Sequence, residues 1–228
     1  MMKKWDDVLM QAMINLVATR QKSGSPAELL RWYNDHVNIL MRFEDLQGAT
    51  LYRCTAPATN VPDYVCLYDF PSPSAFAAFE ASDAKEQARQ VIESGWGLQI
   101  IEILQRTQYI TGGKWTGQAP SSEPIFHMQC LDMAVPAHHE ADDLRRWMAD
   151  SLYVAAARAG VGHYQWFTSG ASQQCASQAI VVASASVTVG PTWHTWWDTA
   201  SVPTLAQAPD SVSVTWQATY ERVSAWRR

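Results

Sequence analysis

The chain has 228 residues, 47% of them hydrophobic and 17% charged, with a formal net charge of −5 at pH 7. That length can bury a substantial core as one large domain or two small ones, and the composition argues against long disordered stretches. The acidic balance and the lack of a Lys/Arg cluster exclude a nucleic-acid partner, which needs a basic surface.

No run reaches the roughly 18 apolar residues of a membrane span. The first residues are polar and VLMQAMINLVA is broken by Gln11 and Asn15, so no secretory leader is visible and a cytoplasmic protein is expected. Cys54, Cys66, Cys130 and Cys175 lie far apart with no CxxC pair, and Cys54 and Cys66 fall in expected strands beside apolar residues, so buried free thiols are expected. Eleven tryptophans are an excess. Large rings of this kind fill cores and also wall pockets for flat, apolar ligands.

Val8 to Ala18 reads as a strand. Met10, Ala12, Ile14 and Leu16 form a wholly apolar parity, whereas Gln11 and Asn15 share the other with Leu9 and Met13. One face should be buried dry and the other should meet something partly polar. GSPAE then starts a helix, with Ser25 as N-cap, Pro26 at the first position and Glu28 completing a capping box. The helix should run to about Phe43, with Leu29, Tyr33, His36, Leu40 and Phe43 along one face. Strands follow at Ala49 to Cys54 and Tyr64 to Phe70, a helix from PSPSAFAAFEAS to about Ser94, and a strand at Leu98 to Ile110. The order β-α-β-β-α-β is the ferredoxin-like split βαβ unit, with both helices on one face of an antiparallel sheet.

Thr111 to Pro124 has the Gly, Ser and Pro content of a linker, and after it the pattern restarts. HMQCLDMAVP from His127 aligns with LMQAMINLVA from Leu9, and DLRRWMAD from Asp143 with ELLRWYND from Glu28. Further strands are expected at His163 to Phe167, Ala179 to Val187 and Ser211 to Val223, with a Trp-rich helix near Thr192 to Ala200. Two matches in the right order point to a tandem duplication. The expected architecture is therefore α+β: a first ferredoxin-like repeat over 1–110, a linker over 111–124 and a second repeat over 125–228, packed sheet to sheet.

On RWYNDH (Arg31 to His36), an aromatic pair followed by histidine in the first helix, and on the element order, the chain resembles the dimeric α/β-barrel superfamily and within it the EthD-like proteins. The resemblance implies an intrachain barrel for which a monomer suffices, with a homodimer left open. It also implies acid-base chemistry on aromatic or enolisable small molecules in an apolar pocket, without a cofactor. Fold by itself does not choose among the isomerases, cyclases, lyases, monooxygenases and haem proteins of that superfamily.

His36 is the first catalytic candidate, because a neutral imidazole can take a proton from an activated carbon or phenol near neutral pH. The competing reading is a helix histidine bonded to a loop carbonyl. Tyr33, one turn earlier, is the second candidate, as a hydrogen-bond donor to an oxyanion or as core with its hydroxyl at the rim. Trp32 recurs as Trp147 and reads as shared packing that also walls a pocket, and Asp35 recurs as Asp150 and reads as solvated. Gln11, Tyr52, Tyr64, Tyr68 and His127 are further candidates for a ligand-facing surface, set against plain strand or interface roles.

His138, His139 and Glu140 lack metal-ligand spacing, and no Walker loop, GxGxxG or GxSxG is present. The leading expectation is a cofactor-independent isomerase, lyase or cyclase acting on an aromatic or polyketide-like molecule. A non-catalytic small-molecule binding protein comes second, and a haem protein third.

Overall fold

The computed structural model describes residues 12–94, 97–116, 124–133, 163–169, 178–186 and 212–228. These divide into two compact units, Met1–Ile110 with Arg222–Arg228, and Thr111–Glu221.

In the first unit β1 (Met13–Gln21) leads through Gly24, at φ 78°, into α1 (Pro26–Leu40). The expected capping box is formed. Ser25 Oγ accepts from the Glu28 amide at 3.2 Å, and Glu28 Oε2 accepts from the Ser25 amide at 2.7 Å. Those bonds favour the charged Glu28 carboxylate and hold it below its usual range. Leu29, Trp32, Tyr33, His36, Val37 and Leu40 are buried, whereas Asp35 is exposed. Strands β2 (Gly48–Cys54) and β3 (Tyr64–Phe70) follow, almost entirely buried as their near-continuous apolar runs require.

The helix expected to run to Ser94 is two, α2 (Pro73–Glu80) and α3 (Asp83–Ser94). Ser82 makes the break, because its Oγ accepts from the Lys85 amide at 3.2 Å and caps a new helix. One short helix, α4 (Gly97–Ile100), occupies residues assigned from sequence to the start of the next strand. That strand, β4, spans Ile101–Thr116. Thr111 to Thr116, read as the opening of a linker, therefore continues a strand, because the glycines there serve a close approach rather than chain freedom. A Cβ on Gly112 would lie 1.9 Å from Trp166 Cζ3.

The sheet order in this unit is β4-β1-β3-β2, with β1 antiparallel to both neighbours and β2 antiparallel to β3. This is the connectivity of a split βαβ unit. The last residues of β8 (Val212–Arg227) lie beside β2. There Arg227 bonds Asp69 at 3.1 Å and Thr50 at 2.9 Å, and Trp226 Nε1 donates to Asn34 at 3.1 Å. Ile14, Leu16 and Ala18 are buried on one face of β1, as the apolar parity required.

In the second unit β5 (Pro124–Met133), β6 (His163–Ser169), β7 (Gln178–Ser186) and β8 take the order β8-β5-β7-β6, also antiparallel. The end of β4 lies beside β6. The stretch from Asp143 that aligns with the first helix, and the expected helix near Thr192 to Ala200, fall outside the described residues. Cys54 and Cys66 are buried in strands and outside any disulfide, as expected; Cys130 is buried and likewise not disulfide-bonded, and Cys175 falls outside the described residues. Among the described residues, no helix is long and apolar enough to cross a membrane.

Candidate functional site

A cavity of about 310 Å³ lies in the first unit, between its sheet and helices α1 and α3. The sheet wall comes from the odd parity of β1, namely Asn15, Val17 and Thr19, together with Tyr68 of β3. Helix α1 adds Trp32, Tyr33, His36 and Leu40.

The β4 wall depends on a bulge. Thr19 pairs with Ile103, but Ala18 pairs with Gln105 and Val17 with Arg106, so Leu104 is left unpaired. One extra residue reverses the parity of a strand. Ile103 before the bulge and Arg106 after it therefore face the same cavity. Gln105 turns to the other side, where its amide bonds Thr107 at 3.2 Å and Tyr109 at 3.0 Å.

His36 is buried, and its ring stacks on Trp32 with centroids 5.1 Å apart and planes within 5°. Its Nδ1 has no hydrogen-bond partner among the described residues. Burial, and then the positive charges of Arg106 and Lys85, push its pKa down to about 4. The imidazole is therefore neutral at ordinary pH. The loop-carbonyl bond that would have made it a purely structural histidine is absent at Nδ1.

Tyr33 is 2% exposed, and its hydroxyl lies 2.8 Å from Thr19 Oγ1. Burial raises its pKa well above the ordinary phenol value, so the phenol stays protonated. Either oxygen can be the donor in this pair.

Asn15 Oδ1 and Trp32 Nε1 are two further buried polar atoms without partners among the described residues. Trp32 is held from behind by α4. A Cβ on Gly97 would sit 2.9 Å from Trp32 Nε1 and 3.1 Å from Cε2. Gly97→Ala should therefore push the indole off its seat and tilt the stacked His36 ring. The expected cost is about 1–3 kcal/mol of stability, as for other overpacked cores. A lower urea midpoint together with a displaced His36 ring-proton NMR signal would verify it, and an unmoved signal would refute the coupling.

Of the residues singled out from sequence, His36, Tyr33, Trp32 and Tyr68 meet at this cavity. Tyr64 is core, with its ring 6.2 Å from that of Tyr33. Tyr52 does not join them. It pairs with Val65, whose side chain points to the opposite face from Tyr64, Cys66 and Tyr68. Gln11 falls outside the described residues, and so does the side chain of His127, which is carried by β5 of the second unit.

Sequence reasoning missed Thr19, Lys85 and Arg106. The polar parity of β1 had marked Asn15, but nothing in the local pattern marks Arg106, since only the pairing register shows the bulge. Among the described residues no group of His, Cys, Asp or Glu is arranged to hold a metal ion.

No protein-family model and no curated protein matches the chain. Solved structures do. A proposed monooxygenase from Fusobacterium nucleatum subsp. nucleatum aligns at a TM-score of 0.64 with 10% identity, over 96% of this chain and 95% of that one. An anthrone oxidase-like protein aligns at 0.65 with 10% identity, over 96% and 93%. A mutant chlorite dismutase from Candidatus Nitrospira defluvii aligns at 0.57 with 8% identity, over 93% and 92%. At such identities the likeness shows the fold alone.

Proposed function

We propose that this protein is a small-molecule enzyme that moves a proton on a flat, ring-containing substrate, with His36 as the base. The observation that carries this reading is the neutral, buried His36, stacked on Trp32 and without a partner at Nδ1, in the wall of an apolar cavity. A carbon acid next to a carbonyl would give its proton to the imidazole, and the electron pair would move onto the carbonyl oxygen. Tyr33, kept protonated by burial, can donate a hydrogen bond to that oxygen while it accepts one from Thr19. Reprotonation at another carbon is an isomerisation, loss of a leaving group is a lyase reaction, and attack of the enolate on a second carbonyl is a cyclisation. All three share the first step.

The test reads that step. Anthrone incubated in deuterated buffer should exchange its acidic C10 hydrogen faster with protein than without. His36→Gln should lower the enhancement by about a hundredfold, the scale of a positioned general base. Exchange no faster than buffer, or undiminished in a folded His36→Gln protein, would sink the proposal.

A haem protein, the third expectation from sequence, would draw on the same His36 lone pair as the proposed base. A Soret band in the purified protein would favour it and overturn the proposed base.

The tandem duplication belongs to the same proposal. The orders β4-β1-β3-β2 and β8-β5-β7-β6 are one permutation written twice. The unpaired Leu104 in β4 has a counterpart in Thr215 of β8, where Cys130 pairs with Trp216 and Leu131 with Val214. Tyr220 and Trp226 follow Thr215 at the spacings at which Tyr109 and Trp115 follow Leu104. Matching the two bulges aligns Met128 and Gln129 with Leu16 and Val17, rather than with Met10 and Gln11. The Met-Gln match that first suggested the repeat is therefore out of register with it.

A further inference from the structure

We propose that the ligand of this cavity carries a carboxylate at one end of its flat apolar body, and that Arg106 binds it. The inference rests on reading the cavity as a ring-binding site and adds the class of molecule it takes.

Among the described residues, Lys85, Arg89 and Arg106 are the cations that line the cavity. Lys85 is held by Glu80 at 2.5 Å, with its ammonium 5.2 Å from the Phe79 ring centre. Arg89 is held between Glu86 at 2.6 Å and Glu93 at 2.5 Å. Arg106 has no hydrogen-bond or ion-pair partner among the described residues. A guanidinium presents a rigid fork of donors that matches a carboxylate bidentately.

Arg106 is also where it is by construction. Without the bulge at Leu104, strict alternation from Ile101 and Ile103 would bring Gln105 to the cavity and send Arg106 to the opposite face. The bulge exchanges the two. An unpaired guanidinium thus stands next to Val17, on the same face as Asn15, whose Oδ1 is also unpartnered. Much of the remaining lining is apolar, with Val17, Leu40, Phe79, Ile92 and Ile103 offering a ring-shaped body no competing hydrogen bonds.

Occupancy of Arg106 by an anion would act on His36 as well. Arg106 is the larger of the two charges that disfavour imidazolium there. A carboxylate on it removes that repulsion at the moment a proton must be accepted, so a correctly charged substrate makes its own base stronger.

The experiment compares 2-naphthoate with 2-naphthamide, which differ in charge but scarcely in shape, by calorimetry on the full chain. The acid should bind about tenfold tighter or better, with a preference that falls as salt is raised. Arg106→Gln should abolish the preference by weakening the acid and leaving the amide unchanged. His36→Gln, which disables the proposed base, should leave the preference intact. On the wild-type protein, naphthoate should also move the His36 NMR titration to higher pH. Equal binding of acid and amide, or a preference that survives in Arg106→Gln, would overturn the carboxylate site and leave the role of His36 standing. Binding of neither compound would overturn both.

Discussion

Replacing Gly112 with valine should destabilise the second unit by about 3 kcal/mol or more. An added Cβ would lie 1.9 Å from Trp166 Cζ3, 2.2 Å from Cε3 and 2.4 Å from Cη2, far inside van der Waals contact. The clashing atoms are the far end of a side chain, so the ring could in principle swing away. Trp166 is only 4% exposed, however, and swinging out forfeits most of the burial energy of an indole. Removing a buried Trp or Phe costs about 3–5 kcal/mol, which bounds the effect. Gly112→Ala should cost less, about 1–3 kcal/mol, the range for small overpacking. A double-mutant cycle isolates the cause: in a Trp166→Ala background Gly112→Val should cost less than about 1 kcal/mol. Urea unfolding monitored by hydrogen exchange in β6 and β7 reads the local effect without assuming that both units unfold together. An unchanged midpoint in Gly112→Val would show that the ring does not lie over that glycine.

Acidification should weaken the first unit through His36. Burial pushes its imidazole pKa down to about 4 from the ordinary 6.5. Between those two values the unfolded chain holds a proton that the folded chain does not. Stability therefore rises with pH across that window, and it is lost as pH falls from 6.5 toward 4. At about 1.36 kcal/mol per unit, the loss approaches about 3 kcal/mol near pH 4 and is absent above pH 7. Asp69 works in the opposite direction, since burial raises its pKa even though Arg227 opposes the rise. His36 is therefore isolated by subtraction. His36→Gln removes the ionisation, so its stability profile should be flatter than that of wild type between pH 6.5 and 4 and parallel to it above pH 7. Parallel profiles throughout would mean that the imidazole is not held neutral.

The exchange, binding and pH experiments touch the same histidine in different ways. The pH profile tests its burial, deuterium exchange tests its chemistry, and the naphthoate titration tests its coupling to Arg106. A protein that shows the pH effect and the acid preference but no exchange would be a binding protein, which was the second expectation from sequence.

Much of the first unit is legible in the chain because its signals are local. Ser25, Pro26 and Glu28 start α1 through bonds within four residues of one another, and the buried stripe from Leu29 to Leu40 follows from helical period alone. The strand Tyr64–Phe70 was readable to the residue, because six apolar or aromatic residues in a run of seven, bounded by Pro-containing turns, admit little else. The break at Ser82 was missed because two short helices and one long one present much the same periodicity; only the bond from the Lys85 amide to the Ser82 hydroxyl separates them.

By itself the sequence determined the four strands and the first helix of the first unit, the dry and polar faces of β1, and the presence of Trp32, Tyr33 and His36 on the buried side of α1. These depend on side-chain period and on caps, which short stretches contain in full. Tertiary structure alone decided that Thr111 to Thr116 is strand rather than linker, that Tyr52 faces away from the cavity, and that Arg106 faces into it. Each of these turns on a partner distant in sequence: a tryptophan laid over a glycine, a cross-strand neighbour, and a register slip between Ala18 and Thr19. Parity along one strand cannot register an extra residue until a second strand is there to count against.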